Sequence, residues 1–281
     1  MTYCVDLVGS VALNAGLMYA TRVVADVCAP AWCGRHLLDA RGREDWDSRV
    51  VSTINAVYVA AGYYAFASRA ERGLGSSYEA TLAGSCGRDR WMVALCGYLV
   101  VDSALCCAAV WRRRRRRRRG DAPAASGSFD DPLVLAHHIV VLVAFGVGMR
   151  TRLATRYMAS LLFNEASTPF LNLRSLINYA SPPRADGARE SALAARLYAA
   201  NGACLVVVYG VCRVAWTLFV VAHIARSWRD LWRVGVLVGD LRVVVVVGLS
   251  ALCGAHLGLN LYWYGLICAK ARRALLATKR P

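Results

Sequence analysis

Seven stretches of roughly 20 mostly apolar residues dominate this chain, near 7–28, 49–68, 91–111, 132–149, 157–180, 195–224 and 236–268. That is the length a helix needs to cross the hydrocarbon of a bilayer. The chain is 57% hydrophobic with a mean hydropathy of +0.39, above the usual range for a soluble globular domain. Lipid offers no partner for an open sheet edge, so the stretches are expected to be helices. The fold class is therefore all-α, a polytopic membrane protein with about seven transmembrane helices. The fifth stretch is the least regular, because Asn164, Glu165, Pro169, Asn172 and Arg174 interrupt it. The opening residues Met-Thr-Tyr-Cys-Val-Asp carry no positive charge ahead of the first stretch, so that stretch is expected to remain as an anchor.

The net charge of +16 invites a nucleic-acid reading, which the distribution of charge excludes. Eight of the 34 basic residues form one run, Arg112–Arg119, directly after Trp111 at the end of an apolar stretch. No basic, aromatic-studded domain remains to hold a nucleic acid. The run reads instead as part of a flexible cytosolic loop over 112–128 that fixes topology and touches anionic lipid headgroups. Binding of an acyl-CoA phosphate is a secondary role for the same arginines. With residues 112–131 cytosolic, that side carries 20 basic residues in its loops and tail and the opposite side 10. The bias puts the N-terminus in the lumen and the C-terminus in the cytosol. Two more loops follow from composition, Gly73 to Gly87 on the lumenal side and Ser181 to Gly187 on the cytosolic side.

Most of the 11 cysteines lie inside the apolar stretches, at Cys96, Cys106, Cys107, Cys204, Cys212, Cys253 and Cys268. None forms a C-x-x-C pair, and no histidine stands at a zinc-ligand spacing from them. They read as small apolar packing residues, and no metal site is expected.

Polar residues inside the stretches are the candidates for function. His137 and His138 sit in the middle of Pro132-Leu-Val-Leu-Ala-His-His-Ile-Val-Val-Leu-Val-Ala-Phe145. Ionisable groups at bilayer depth are costly and face a bundle interior or a cavity. Imidazole can move protons or accept an acyl group near neutral pH. Glu165, Thr168 and Asn172 share one helix face at i, i+3, i+7, and His256, Asn260 and Trp263 share another. Tyr98 and Asp102 are i, i+4, while Asn55 and Arg213 interrupt two further stretches. Polar faces on this many segments converge most simply on a shared interior. The structural alternative for these groups is an Asp102–Arg213 ion pair, with Asn55 and Asn260 as interhelical hydrogen-bonding residues.

The linear order of these residues resembles the TLC family (TRAM, LAG1 and CLN8 homology), which includes the ceramide synthases. The resemblance runs from about residue 46 to 273. It is carried by Trp46-Asp-Ser-Arg-Val-Val-Ser-Thr-Ile-Asn-Ala56, Gly97-Tyr-Leu-Val-Val-Asp102, Asp131-Pro-Leu-Val-Leu-Ala-His-His138, Asn164-Glu-Ala-Ser-Thr-Pro-Phe-Leu-Asn-Leu-Arg174 and Leu259-Asn-Leu-Tyr-Trp263. The Asn164–Asn172 block is most similar to the TLC domain-containing protein 4 branch. The resemblance implies six helices forming a barrel around a lipid cavity, one extra N-terminal helix with a cytosolic loop over 1–45, a TLC domain over 46–273 and a basic cytosolic tail over 274–281. His137, His138 and Arg213 carry over from the family pattern. The departures are Asn164-Glu165 and Thr168 where ceramide synthases have a His-Asp…Asp pattern, Asn260 in place of a histidine, Asn55 where close relatives often have His, and Val141 where a Thr often stands.

The primary expectation is a multi-pass protein of the endoplasmic reticulum or another endomembrane, with the plasma membrane as an alternative, that binds lipid and acts in lipid homeostasis. The lipid would be a sphingolipid, a fatty acyl compound or a phospholipid. The alternative is an acyltransferase of the ceramide synthase type, with acyl-CoA as substrate and no resident cofactor. In that reading one of His137 and His138 attacks the thioester, and the other assists proton transfer with Glu165 or Asp102. Asn55, Tyr98, Thr168, Asn172, Arg213, His256, Asn260 and Trp263 would line the substrate cavity. A trafficking or cargo receptor is a third class compatible with the family.

Overall fold

The computed structural model describes residues 2–28, 38, 40–67, 89–119, 132–151, 155–182, 191–226 and 240–277. All regular elements among them are helical: α1 (Thr2–Cys28), α2 (Ala40–Ala67), α3 (Asp89–Arg118), α4 (Pro132–Thr151), α5 (Thr155–Leu161), α6 (Thr168–Ala180), α7 (Ala192–Tyr209), α8 (Trp216–Arg226) and α9 (Asp240–Ala277). A 3₁₀ segment, Leu162–Ser167, joins α5 to α6, and a π-helical segment, Gly210–Ala215, joins α7 to α8. Four spans are long and apolar enough to cross a membrane, Asp6–Asp26, Arg90–Arg112, Pro132–Met149 and Ala192–Arg226.

Two expectations about local structure are corrected. The stretch 157–180 is not one regular helix. Its polar centre tightens into the 3₁₀ segment, where Ser167 Oγ donates to the backbone carbonyl of Asn164 at 2.9 Å. Short polar side chains compete in this way with the backbone ladder. Pro169, whose missing N–H costs nothing in a first turn, then helps start α6. The second correction concerns 112–128. Arg112–Arg118 continue α3 as helix rather than forming a flexible loop. Arginine is a good helix former, and cations suit the negative end of the helix dipole. Arg112 also donates to Glu44 near the start of α2 at 2.8 Å. Residues 120–131 lie outside the described residues, as do Gly73 to Gly87 and most of Ser181 to Gly187.

The packing order positions the site. α2 packs on α3, α3 on α4 and α4 on α9; α9 packs on α7, the π segment and α8; α7 packs on α6, and α6 and the 3₁₀ segment return to α2. α1 lies against α3 and α2. Its approach to α3 requires Gly97, where an added Cβ would sit 2.1 Å from Ser10 Oγ. The main apolar cluster joins Val59, Met92, Leu95, Leu99, Val141, Phe145, Met158, Leu162 and Leu249 from these neighbours. Large apolar side chains point outward as well, with Val8, Leu13 and Tyr19 of α1 each more than 60% exposed. An outward apolar surface of this kind is what lipid solvates.

Candidate functional site

The buried interior is polar where the helices converge. His137 and His138 project inward from α4 and are 8% and 7% exposed. The His137 ring stacks on His256 of α9, with centroids 5.0 Å apart and planes 22° apart, and meets Trp263 edge-on at 5.2 Å. The i, i+7 spacing of His256 and Trp263 puts both rings on the face of α9 toward α4. His256 Nε2 in turn lies 2.8 Å from Asn164 Nδ2 of the 3₁₀ segment. Because that amide nitrogen donates, the imidazole accepts through Nε2. Asn164 and Thr217 are also hydrogen-bonded, at 3.2 and 3.3 Å.

A second group surrounds Arg213 in the π segment. Its Nε donates to Ser167 Oγ at 2.7 Å, and one terminal nitrogen donates to Thr168 Oγ1 at 2.8 Å and faces Glu165 Oε1 at 3.5 Å. Thr168 Oγ1 donates to Glu165 Oε2 at 2.8 Å. The π geometry shifts the face that α7 and α8 present at this point, and such segments recur at functional sites. Gly210 opens it: an added Cβ would lie 2.8 Å from Tyr264 Oη.

A third group lies between α2, α3 and α4. Ser48 Oγ donates to Asp102 Oδ1 at 2.9 Å, while Asp102 Oδ2 stands 3.5 Å from His138 Nδ1. The next residue of α2, Arg49, donates to Asn172 Oδ1 at 3.2 Å, and Asn172 Nδ2 donates to Thr53 Oγ1, one turn further along α2, at 3.1 Å. Arg49 also pairs with Asp45, which accepts from Tyr179.

Two spaces meet at this interior. A polar chamber of about 480 Å³ is lined by Tyr98, Asp102, His137, His138, Glu165, Thr168, Asn172, Arg213 and Trp263 among others, with Arg49, Arg174, Lys270 and Arg273 along it. An apolar slot of about 70 Å³ is walled by Leu95, Val141, Phe145, Met158 and Leu249, with His256 and Asn164 among its polar members. Leu99, His137 and Glu165 border both. The slot is smaller than the chamber and lies along the other half of α3 and α4.

The four candidate catalytic residues, His137, His138, Glu165 and Asp102, therefore share one chamber. Tyr98, Thr168, Asn172, Arg213 and Trp263 line it too, and His256 lines the adjoining slot. Asn260 and Asn55 line neither space. Asn260 is fully buried and accepts from Tyr209 Oη at 3.2 Å, an interhelical hydrogen bond. Asn55 is buried with no partner for its Nδ2 among the described residues. The alternative Asp102–Arg213 ion pair does not form, because each group has its own partners on different helices.

The family model for the TLC domain (TRAM, LAG1 and CLN8 homology) matches residues 45–269. The chain belongs to the TLC-domain family. Comparison with curated proteins finds no match. The TLC domain thus runs from most of α2 through most of α9 and leaves α1 outside it.

Within the TLC domain, sequence reasoning missed Ser48, Arg49, Ser167, Tyr209 and Thr217 as partners of the candidate residues. It also missed Cys106. Cys106, Asp102 and His138 have ligand-type atoms within 4.8 Å of one another, and all three residues are buried. One signal was present, since Asp102 and Cys106 are i, i+4 on the same helix face.

Proposed function

We propose that this TLC-domain protein binds a membrane lipid with its polar head in the chamber and its chain directed into the slot. The observation that carries this reading is the junction of a polar, arginine- and lysine-bordered chamber with a smaller apolar slot. An amphipathic ligand has the same division of chemistry. Burying apolar chain against Leu95, Val141, Phe145 and Met158 contributes about 0.8 kcal/mol per methylene taken from water. The donors of Arg49, Arg213, Lys270 and Arg273 suit a headgroup rich in acceptors. The candidate ligands are a sphingolipid, a fatty acyl compound or a phospholipid, and the role is in membrane lipid homeostasis.

The packing order around the interior supports six helical rods as a barrel, with α1 outside it and seven crossings in all. The Asn164–Asn172 block supports assignment to the TLC domain-containing protein 4 branch. The endoplasmic reticulum or a related endomembrane is the expected site.

The test is mass spectrometry of the purified, folded protein and of Ala144→Phe, which fills the slot from α4. The wild type should retain lipid through purification, and Ala144→Phe should retain at least tenfold less with unchanged helicity. Lipid-free wild-type protein, or equal retention by the variant, overturns the reading.

Acyl transfer is a second reading, favoured by the position of His137 at the junction of the two spaces. A thioester between a polar carrier and an apolar chain would cross that junction. The imidazole nitrogen would attack the thioester carbonyl, the C–S bond would break, and the departing thiolate would take up a proton. An amine would then displace the imidazole to form the amide. A covalent acyl adduct on the intact protein that an amine discharges, lost in His137→Ala, would establish this reading over simple binding.

A further inference from the structure

We propose that Asp102, Cys106 and His138 form a three-ligand site for a zinc-type divalent cation, with its fourth position open to the polar chamber. The three ligand-type atoms lie within 4.8 Å of one another, and Cys106 is fully buried. His138 Nδ1 is buried and makes no hydrogen bond, although it faces Asp102 Oδ2 at 3.5 Å.

The separation is compatible with ligation of a metal. A charge-assisted N–H···O bond closes to about 2.7–2.9 Å. In a tetrahedral zinc site, metal–nitrogen and metal–oxygen bonds of about 2.0–2.2 Å set the ligand atoms about 3.3 Å apart. The observed 3.5 Å is close to the edge of such a tetrahedron, but it is also the length of the Arg49–Asp45 and Arg213–Glu165 pairs, so Cys106 and the unbonded His138 Nδ1 carry the assignment. The ligand atoms spread over as much as 4.8 Å, so the group must contract to close around one ion.

The donor set selects the class of ion. One thiolate, one imidazole and one carboxylate suit zinc, whereas magnesium and calcium take oxygen ligands. Three protein ligands with a fourth position left open is the arrangement of catalytic rather than structural zinc sites. His138 and Asp102 line the chamber, so the open position faces the space proposed for the headgroup. Ser48 Oγ holds the other oxygen of Asp102 at 2.9 Å, the outer-shell contact that orients a ligating carboxylate. A cation here also offsets a burial cost, because Asp102 is 6% exposed and its neighbour Arg49 is engaged with Asp45 and Asn172. The site does not depend on which lipid fills the chamber, and it gives His138 a role separate from that of His137.

The experiment is metal analysis of the full chain purified without chelator, followed by cobalt titration of the metal-stripped protein. The wild type should carry about one zinc per chain and, with cobalt, show a thiolate-to-metal charge-transfer band. Cys106→Ala, a small change in an apolar setting, should keep its helicity while zinc content falls at least tenfold and the band disappears. Ser48→Ala should keep the band but bind the metal roughly ten- to a hundredfold more weakly. Absence of zinc and of the cobalt band in folded wild type overturns the site. Full zinc occupancy in Cys106→Ala also overturns it as a three-ligand site.

Discussion

Arg213 holds three side chains of the interior at once. Its guanidinium serves Ser167, Thr168 and Glu165 from one position, and Glu165 is only partly exposed. Arg213→Ala leaves the partly buried Glu165 carboxylate with Thr168 alone, and the cost should fall below the roughly 3–5 kcal/mol of a fully buried pair. Adding Glu165→Gln removes the stranded charge, so the double variant should be more stable than Arg213→Ala alone. Thermal unfolding of the four proteins in one detergent gives the coupling directly. Purely additive losses would mean that the two side chains do not act as a pair. At this scale the charged and aromatic members were legible, because ionisable groups in apolar stretches demand explanation. Asp102, His137, His138, Glu165 and Arg213 all reach the interior. Their partners were not legible, since Ser48, Ser167 and Thr217 are small residues of types common at any membrane helix interface. Asn55 and Asn260 misled in the opposite sense. Both are buried and polar, but burial beside a cavity and burial between helices look alike in one dimension.

At the scale of elements, apolar length marked where the helices are, and polar residues marked where they deform. The 3₁₀ segment Leu162–Ser167 contains Asn164 and Glu165 and the π segment contains Arg213, whereas α3 stays regular through Asp102. The sequence reading located both interruptions but could not supply the form of the backbone, which depends on bonds reaching across to other helices. The arginine run shows the reverse error, a low-complexity charge block read as loop that extends α3. Helicity there has a consequence for mutation. Changing Arg114, Arg115, Arg118 and Arg119 to Gln keeps good helix formers and leaves the Arg112–Glu44 pair in place. Binding to anionic vesicles should weaken, and the difference from wild type should shrink as salt rises. Lipid retention in the chamber should be unchanged, because these arginines do not line it. Co-sedimentation across a salt series, with lipid analysis of the same samples, measures both. Loss of retained lipid at full expression and correct orientation would assign the run a ligand-binding role.

For the whole molecule, the orientation in the membrane decides which compartment the chamber serves. Basic residues favour the cytosolic side of a bilayer, and the 20 to 10 bias leads us to expect residues 112–131 and the C-terminus there. The structure links that side to the site. Arg112 bonds to Glu44 near the start of α2, one turn before Ser48 and Arg49 of the chamber. Lys270 and Arg273, toward the C-terminal end of α9, also line it. The charged end of the bundle and the polar chamber therefore lie together, and the slot extends away from them toward Phe145 and Leu249. If the basic end is cytosolic, a ligand headgroup meets the chamber from the cytosol and its chain runs toward the far leaflet. Sealed vesicles with the cytosolic face outward test both steps at once. A membrane-impermeant thiol reagent should label Arg273→Cys well above the parent chain, and added protease should leave the 69–90 segment intact until detergent is supplied. Prebound lipid should slow labelling at residue 273, since the chamber would then be filled. Cleavage within 69–90 in intact vesicles would invert the orientation, and the chamber would then face the lumen with its basic residues and its ligand.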